Sequence, residues 1–444
     1  MTVSTRPSTT LTARASVAVE ALTLSNWLSR TLGRGSGTVA GGRVGLAIDP
    51  TLLATLAHDR RIALVTGTNG KTTTTRLLAA ALSVAGGPPV VSNDTGANMP
   101  PGHVAALVGS PPTASAVLEV DEGYLGRLVE DASPRVVVLL NLSRDQLDRI
   151  SEVRMMVDRW RTALGRLSSE SSGTSRTWVV ANADDPMVTW AALAAPDVRW
   201  VGAGQVWHHD AVGCPSCGGR ITFEPSGSWS CDRCPLVRPE RDAWVEGASL
   251  VLSDGSRHRL ELGIPGQFNR ANAAMAAMAV PLMSADDPGQ APLSSVVDGA
   301  LERMASVDQV AGRFSGSVRR GRLVRLLLAK NPAGWTALFD LLDEDRSPGG
   351  PVVLSVNARV ADGLDTSWLW DVPFERLAGR SVVVTGDRRR DLAVRLHYAE
   401  VDHTVVADPL DALDRSLGTG SSSDAPTVDF VGNYTAFADL RHRL

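Results

Sequence analysis

Apolar residues in this chain come in short, β-branched runs that end in glycine or polar residues, separated by longer segments of helical spacing. IALVT (62–66), the apolar part of SAVLEVDEG (115–123), the start of PRVVVLLNLSRDQLDR (134–149) and TWVVANADDP (177–186) share this form. None alternates strictly, so each predicts a strand buried on both faces of a parallel sheet, with its polar C-terminal end at a site. Residues 152–167 predict a helix, SSESSGTS (168–175) a loop, and IPGQFNRANAAMAAMAVPLM (264–283) a turn into an Ala/Met-rich helix. AGRFSG (311–316) reads as a hinge. Beyond it LVRLLLA, PVVLSV, SVVVTG, HTVVA and TVDFVG recur between helical segments, as in a second, smaller α/β unit.

The N-terminus predicts a helix over roughly 11–31 after a frayed tail, then a Gly-rich connector, LGRGSGTVAGGRVGL, at 33–47. The tail is rich in Arg, Ser and Thr and poor in acid, which a transit peptide shares. The expected division is 1–45 for the helical segment and connector, 46–310 for a central α/β domain with an insertion at 205–240, and 311–444 for a C-terminal α/β domain. With 43% hydrophobic residues the chain is ordinary globular protein, and a net charge of −4 argues against nucleic acid as a partner. No apolar run reaches the length of a membrane span. No secretory signal is visible, so a cytoplasmic protein is expected.

The densest chemistry lies at TGTNGKTT (66–73), where the first strand meets a Gly-rich turn and then a helix. Such a turn cradles phosphates: the backbone N–H groups of Thr68, Asn69 and Gly70 are expected to point inward, and the helix presents its positive end. Lys71 supplies a mobile charge for the β- and γ-phosphates, and the Thr72 hydroxyl is placed for Mg²⁺. Val65 stands where the strict G-x4-G-K-[ST] pattern has its first glycine, so the motif is a narrower variant. Lysine occurs only at 71 and 330, which leaves Lys71 almost no competitor for a lysine's role.

Cys214, Cys217, Cys231 and Cys234 form two C-x2-C pairs with 13 residues between them. Four thiolates at this spacing close a tetrahedral zinc site, and the intervening GGRITFEPSGSWS reads as a hairpin, giving a zinc ribbon. Four Cys ligands leave no open position, so the expected role is structural. An iron–sulfur centre is the alternative; His208 and His209 flank the ribbon as surface residues or substitute ligands. A glutaminase of the Cys-nucleophile type is excluded within this chain, because its four cysteines are committed to metal.

Taken in order, these segments resemble the Mur ligases over roughly residues 35–444, and within them the MurT group, the synthase halves of two-chain lipid II isoglutaminyl synthases. TGTNGKTT resembles the family's phosphate loop, including Thr73. SNDTGANMPPG (92–102) sits where the family engages the muropeptide. LEVDEG places Glu119 like the family's Mg²⁺-binding glutamate, with a loop cap as its plainer role. NLSRDQLDR (141–149) resembles the N-x3-D-[HQ]-L-D stretch, where Asp145 and Asp148 could equally be solvated charges. In GQFNRANAAMA, Asn269 or Asn272 corresponds to the adenine-contacting asparagine. AGRF matches the hinge whose Arg313 bears on ATP, unless it pairs with a surface carboxylate. The ribbon, together with DGLDTSWLWD (362–371), separates the chain from the amino-acid-adding members.

The resemblance implies a P-loop central domain with a zinc ribbon and a Rossmann-like C-terminal domain. It implies ATP and Mg²⁺ as cofactors, structural Zn²⁺, and amidation of the D-glutamate α-carboxyl of lipid II through an acyl phosphate. Ammonia would come from a GatD-like glutaminase chain, whose triad an aspartate of this chain completes: Asp362 or Asp365. Asp362, followed by glycine, is the better placed to present its side chain; Asp365 has the position of an Asx turn before Ser-Trp. Trp368 and Trp370 belong to that interface or to the core, and Arg388–Arg390 to a helix start or an anionic lipid surface. The lipid acceptor would place the protein at the inner membrane face. Two departures stand out. No lysine lies between 71 and 330, so the carbamoylated lysine of many Mur ligases is absent, and the separate UDP-binding domain is missing. Competing expectations are an amino-acid-adding ligase acting alone and a non-catalytic nucleotide-binding scaffold.

Overall fold

The structure, a computed structural model, describes residues 11–32, 38–93, 96–144, 153–167, 176–204, 207–285, 293–308, 314–344, 350–418 and 427–444. Its larger sheet contains β1 (Ile62–Thr66), β2 (Val90–Ser92), β3 (Ser115–Glu119), β4 (Val136–Leu139), β5 (Trp178–Asn182) and β6 (Val198–Gly202). A small hairpin, β7 (Ile221–Phe223) and β8 (Trp229–Cys231), interrupts it before β9 (Ala243–Glu246), β10 (Ser249–Leu252) and β11 (Arg257–Arg259). The order is β11-β10-β9-β6-β5-β4-β1-β3-β2, parallel from β2 to β9 and antiparallel across the last hairpins. The strands β1, β4 and β5 are buried along their whole length, which is why their sequences run apolar without alternation.

Helices cover both faces. The N-terminal pair is α1 (Ala13–Thr31) and α2 (Thr38–Ile48), followed by α3 (Leu52–Ala57), α4 (Lys71–Leu82), α5 (Pro100–Val108), α6 (Leu125–Ala132), α7 (Val153–Leu164), α8 (Pro186–Ala192) and α9 (Gln267–Ser284). On one face α4 and α9 join Val65, Val138 and Val180 in a core; on the other α1, α5, α6 and α7 close over Leu64, Leu118 and Leu139. The alanines of α9 let it lie close against α4 and the strands, and Met275 and Met278 fill the gaps left by small residues.

A second sheet comprises β12 (Phe314–Arg319), β13 (Arg322–Leu328), β14 (Val352–Ser355), β15 (Val382–Thr385), β16 (His403–Val405) and β17 (Val428–Gly432), in the order β12-β13-β17-β14-β15-β16. Only β12 is antiparallel. Of the expected hinge at 311–316, Phe314 already opens β12; residues 311–313 lie outside the described residues.

The Gly-rich stretch departs from expectation. Residues 38–48 are not a connector but the helix α2. Gly41, Gly42 and Gly45 lie on its buried face. A Cβ at Gly41 would run into the Asn26 side chain of α1, and one at Gly42 into the Pro101 carbonyl of α5. Close helix approach, rather than chain freedom, explains these glycines. Gly42→Ala is expected to cost about 1–3 kcal/mol, the range for overpacking a close contact. Denaturant unfolding checks this against Gly109→Ala, where an added Cβ meets nothing within 4 Å; equal stability of the two variants would contradict it.

Candidate functional site

The turn after β1 is built on two glycines in the left-handed region, Gly67 (φ 142°) and Gly70 (φ 87°). A Cβ at Gly67 would sit 2.9 Å from Leu140 Cβ, and one at Gly70 2.5 Å from Asn272 Oδ1, so both positions exclude a side chain twice over. The loop is pinned to the segment after β4. Thr68 N–H donates to the Asn141 carbonyl (2.9 Å), and Asn69 N–H to Asn141 Oδ1 (2.9 Å). Asn141 Nδ2 returns a bond to the Asn69 carbonyl (3.0 Å), and Thr68 Oγ1 exchanges two bonds with the Ser143 backbone (3.0 Å each).

This corrects one expectation. The N–H groups of Thr68 and Asn69 are spent on Asn141 and do not face inward; Gly70 and the first turn of α4, whose N–H groups lack helical partners, are left for an anion. Asn141 sat in a recognised motif but carried no predicted role. An asparagine's paired donor and acceptor suit one peptide group, and that was the only available signal.

Lys71 is buried and folded back on its loop: Nζ donates to the Gly67 carbonyl (2.6 Å) and the Thr68 carbonyl (3.3 Å), and pairs with Glu122 Oε1 (3.2 Å). Sequence reasoning passed over Glu122, although LEVDEG put it three residues beyond Glu119. Thr72 Oγ1 donates to Glu119 Oε2 at 2.7 Å, so the two expected magnesium ligands meet, and Asn98 Nδ2 reaches Glu119 Oε1 at 3.4 Å. The Glu119 backbone is held as firmly. Its N–H donates to Asn93 Oδ1 (2.8 Å), and its carbonyl accepts from Asn93 Nδ2 (2.9 Å) and His103 Nε2 (2.8 Å). Burial lowers the His103 pKa to about 4, against the pull of Glu119, so the ring is neutral with its proton on Nε2.

A cavity of about 440 Å³ opens beside the loop, between the two sheets. Gly70, Thr72, Thr73, Asn269, Asn272 and Trp207 are among its walls. The two candidate asparagines differ: Asn269 Nδ2 donates to the Pro265 carbonyl of its own turn (2.5 Å), whereas Asn272 abuts Gly70. From the turn after β13, Asn331 reaches Asn69 through reciprocal amide bonds of 3.2 and 3.3 Å. Asp184 and Asp185, from the polar end of β5, also line the cavity. Asp185 caps α8 through Met187 N–H (2.8 Å) and Val188 N–H (3.2 Å), and accepts from Leu142 N–H (2.9 Å). Burial raises its pKa to about 6 in spite of those bonds. The expected sites at Arg313, Asp145 and Asp148 lie outside the described residues.

The four cysteine sulfurs come together within 4.8 Å of one another, with Cys214–Cys234 at 3.7 Å and Cys217–Cys231 at 3.5 Å. Zn–S bonds of about 2.3 Å give a tetrahedron with edges of about 3.8 Å, so the donor set fits zinc. Gly219 N–H points at Cys217 Sγ (3.3 Å) and Arg233 N–H at Cys231 Sγ (3.4 Å), as thiolates in knuckle turns require. The β7–β8 hairpin supplies the frame, as the sequence predicts. Trp229 anchors it by donating to the Ala183 carbonyl (3.0 Å), and Arg238 by pairing with Asp184 (3.2 Å). Among the described residues, neither His208 nor His209 belongs to the cluster; their rings stack on Phe223 and Trp207.

In the C-terminal lobe the expectation for Asp362 is reversed. Its side chain is buried and accepts from both N–H (2.9 Å) and Oγ1 (2.5 Å) of Thr435, which anchors the loop. Asp365 is exposed and forms the anticipated Asx turn with Ser367 N–H (2.8 Å), which also lowers its pKa. Trp368 is core, stacked near Trp335; Trp370 is exposed beside Tyr398 (5.4 Å). Arg389 opens a helix, as the plainer reading of the arginine run predicts.

The family model for the Mur ligase middle domain matches residues 65–280, and that for the MurT ligase C-terminal domain matches 328–437. The chain is 27% identical to the lipid II isoglutaminyl synthase (glutamine-hydrolyzing) subunit MurT of Staphylococcus aureus strain COL, across 96% of this chain and 97% of that one. It is 28% identical to the same subunit of Streptococcus pneumoniae R6, across 95% and 94%. Among solved structures, a pseudomurein peptide ligase type C from Methanothermus fervidus superposes with a TM-score of 0.61 at 20% identity, covering 87% of this chain and 79% of that one. MurF from Acinetobacter baumannii gives 0.60 at 15%, covering 90% and 80%. With both domains matched in order and relatives aligned end to end, the chain belongs to the Mur ligase family and to its MurT branch.

Proposed function

We propose that this chain is the ATP-dependent synthase subunit of a glutamine amidotransferase that converts the D-glutamate α-carboxyl of the lipid II stem peptide to the amide. The observation that carries the catalytic reading is the meeting of Thr72, which lines the cavity, with Glu119 at 2.7 Å, next to Lys71. The acceptor is inferred from the activity for which those relatives are named.

The reaction has two displacements. A carboxylate oxygen attacks the γ-phosphorus of ATP and ADP leaves; ammonia then attacks the acyl carbon and phosphate leaves, carrying the electron pair of the broken C–O bond. Thr72 and Glu119 would hold Mg²⁺, which supplies charge compensation to phosphate oxygens. Lys71 would exchange the Gly67 and Thr68 carbonyls for the nucleotide phosphates, within reach of its flexible stem. Asn272, next to Gly70, is the better placed of the two asparagines to meet a bound nucleotide.

The partner is read as a GatD-like glutaminase. Completing another chain's catalytic His needs an exposed carboxylate with an open oxygen. Asp365 has one, whereas Asp362 is turned inward. Around Asp365, Val360, Leu364, Trp370 and Tyr398 leave apolar surface in solvent, which suits a docked chain.

The test pairs two assays on a lipid-linked muropeptide with ATP and Mg²⁺, one supplied with ammonium and one with glutamine plus the glutaminase. Both are expected to give the product in which an amino group replaces a hydroxyl. Lys71→Ala and Glu119→Ala should each lower both rates by about a hundredfold or more, the scale of losing preorganised charge stabilisation. A product carrying an added amino acid, formed without the partner, would favour a peptide ligase; ATP binding with no product would favour a scaffold. Asp365→Asn is expected to abolish the glutamine-supplied rate and spare the ammonium-supplied one. Asp362→Asn should instead lower stability by about 1–3 kcal/mol, since it weakens a buried anchor; the reverse pattern assigns the triad to Asp362. Elemental analysis should find one zinc per chain, and chelation or Cys214→Ser should lower the melting temperature. Unchanged melting after complete metal removal would refute a structural metal.

A further inference from the structure

A helix at the edge of a domain needs one apolar face. α1 has two. Ala15, Ala18 and Leu22 are buried against the body of the protein. On the opposite side Val17 (55% exposed), Leu24 (57%), Leu28 (44%) and Leu32 (65%) form a stripe, with Trp27 (58%) on its flank. The stripe runs from Val17 to Leu32, about 22 Å at 1.5 Å per residue, with the exposed Glu20 between Val17 and Leu24. Val39 and Val44 of α2 are also in solvent. Isolated exposed leucines need no account, but several aligned on one helix face do.

The charge around this stripe is unlike that of the rest of the chain. Residues 1–48 hold five arginines and a single acid, Glu20, within a protein of net charge −4. The flanking segments at 1–10 (MTVSTRPSTT) and 33–37 (GRGSG) are too polar to supply an apolar cover. An apolar stripe, a tryptophan at its edge and a surplus of arginine are what an interfacial helix uses to bind anionic lipid. Position agrees. α2 presses Gly42 against Pro101 in the first turn of α5, and that helix follows the loop whose Asn98 reaches Glu119.

We infer that the outer face of the α1–α2 hairpin docks on a bilayer surface carrying anionic lipid, with the α1 stripe in the headgroup region and Arg43 of α2 toward the lipid phosphates. Docking there would bring the loop at 92–102 alongside a lipid-linked acceptor. That purpose rests on the proposed function; the docking itself does not.

Flotation of the full chain with vesicles separates the two, because the vesicles contain no acceptor. The chain is expected to float with phosphatidylcholine–phosphatidylglycerol vesicles, to bind pure phosphatidylcholine weakly, and to be released as salt rises. Leu24→Ser/Leu28→Ser, both at exposed positions, should lower the partition coefficient about tenfold or more. Arg43→Gln should weaken binding only to the anionic vesicles. Amidation of a soluble, lipid-free muropeptide should be unchanged in every variant. Wild-type protein that stays at the bottom of the gradient, or a double-serine variant that floats as well as wild type, would overturn the inference. So would a wild-type dimer, seen by light scattering without lipid, that the double-serine variant converts to monomer, since a second copy would then cover the stripe.

Discussion

The site depends on how one asparagine grips a backbone. Asn141, just beyond the end of β4, gives and receives a hydrogen bond with the same residue of the phosphate loop, Asn69, while its own carbonyl takes the N–H of Thr68. A loop with two left-handed glycines would otherwise sample many shapes, and ordering it would draw on binding energy. The clamp fixes the loop beforehand against the most buried part of the sheet. Lys71, Thr72 and the start of α4 inherit their positions from it. Glu119 is fixed independently, by Asn93 and the neutral His103 acting on its peptide groups. The 2.7 Å contact between Thr72 and Glu119 is therefore the meeting of two separately anchored strand ends.

Most of the framework was legible because the central strands of both sheets are parallel and covered on both sides. Burial on two faces forces uninterrupted β-branched runs, and the runs at β1, β3, β4, β5 and the C-terminal strands all lie where their sequences place them. The cysteine pairs were as plain, since tetrahedral thiolate ligation dictates spacing. The phosphate loop was legible as a motif but not in its hydrogen bonding. Whether an N–H faces a ligand or a neighbouring strand depends on Asn141, which lies 72 residues from Asn69 and whose motif carries no sign of that clamp.

The misreadings share a cause. The glycines of 33–47 read as a connector, whereas those of α2 admit a neighbouring helix. Glycine after Asp362 was taken as presentation, whereas Thr435, 73 positions away, draws that carboxylate inward. Glu122 and Asp185 were passed over because their partners, the Lys71 ammonium and the Leu142 amide, come from other strand ends. In each case the deciding contact is tertiary, and a single chain read by neighbours and periodicity does not contain it.

The placement of the ribbon adds a thermodynamic consequence. Ser226 and Gly227 at its tip, and Arg238 just after its last cysteine, form part of the same cavity wall as Gly70 and Thr72. Arg238 ties that wall together through Asp184 and the Gly227 carbonyl. An ion held by the four cysteines would therefore order a ligand surface as well. Coupling free energies are reciprocal: to whatever extent a loaded ribbon would tighten the cavity around its ligand, a ligand held there would raise the ribbon's affinity for the ion by the same equilibrium factor.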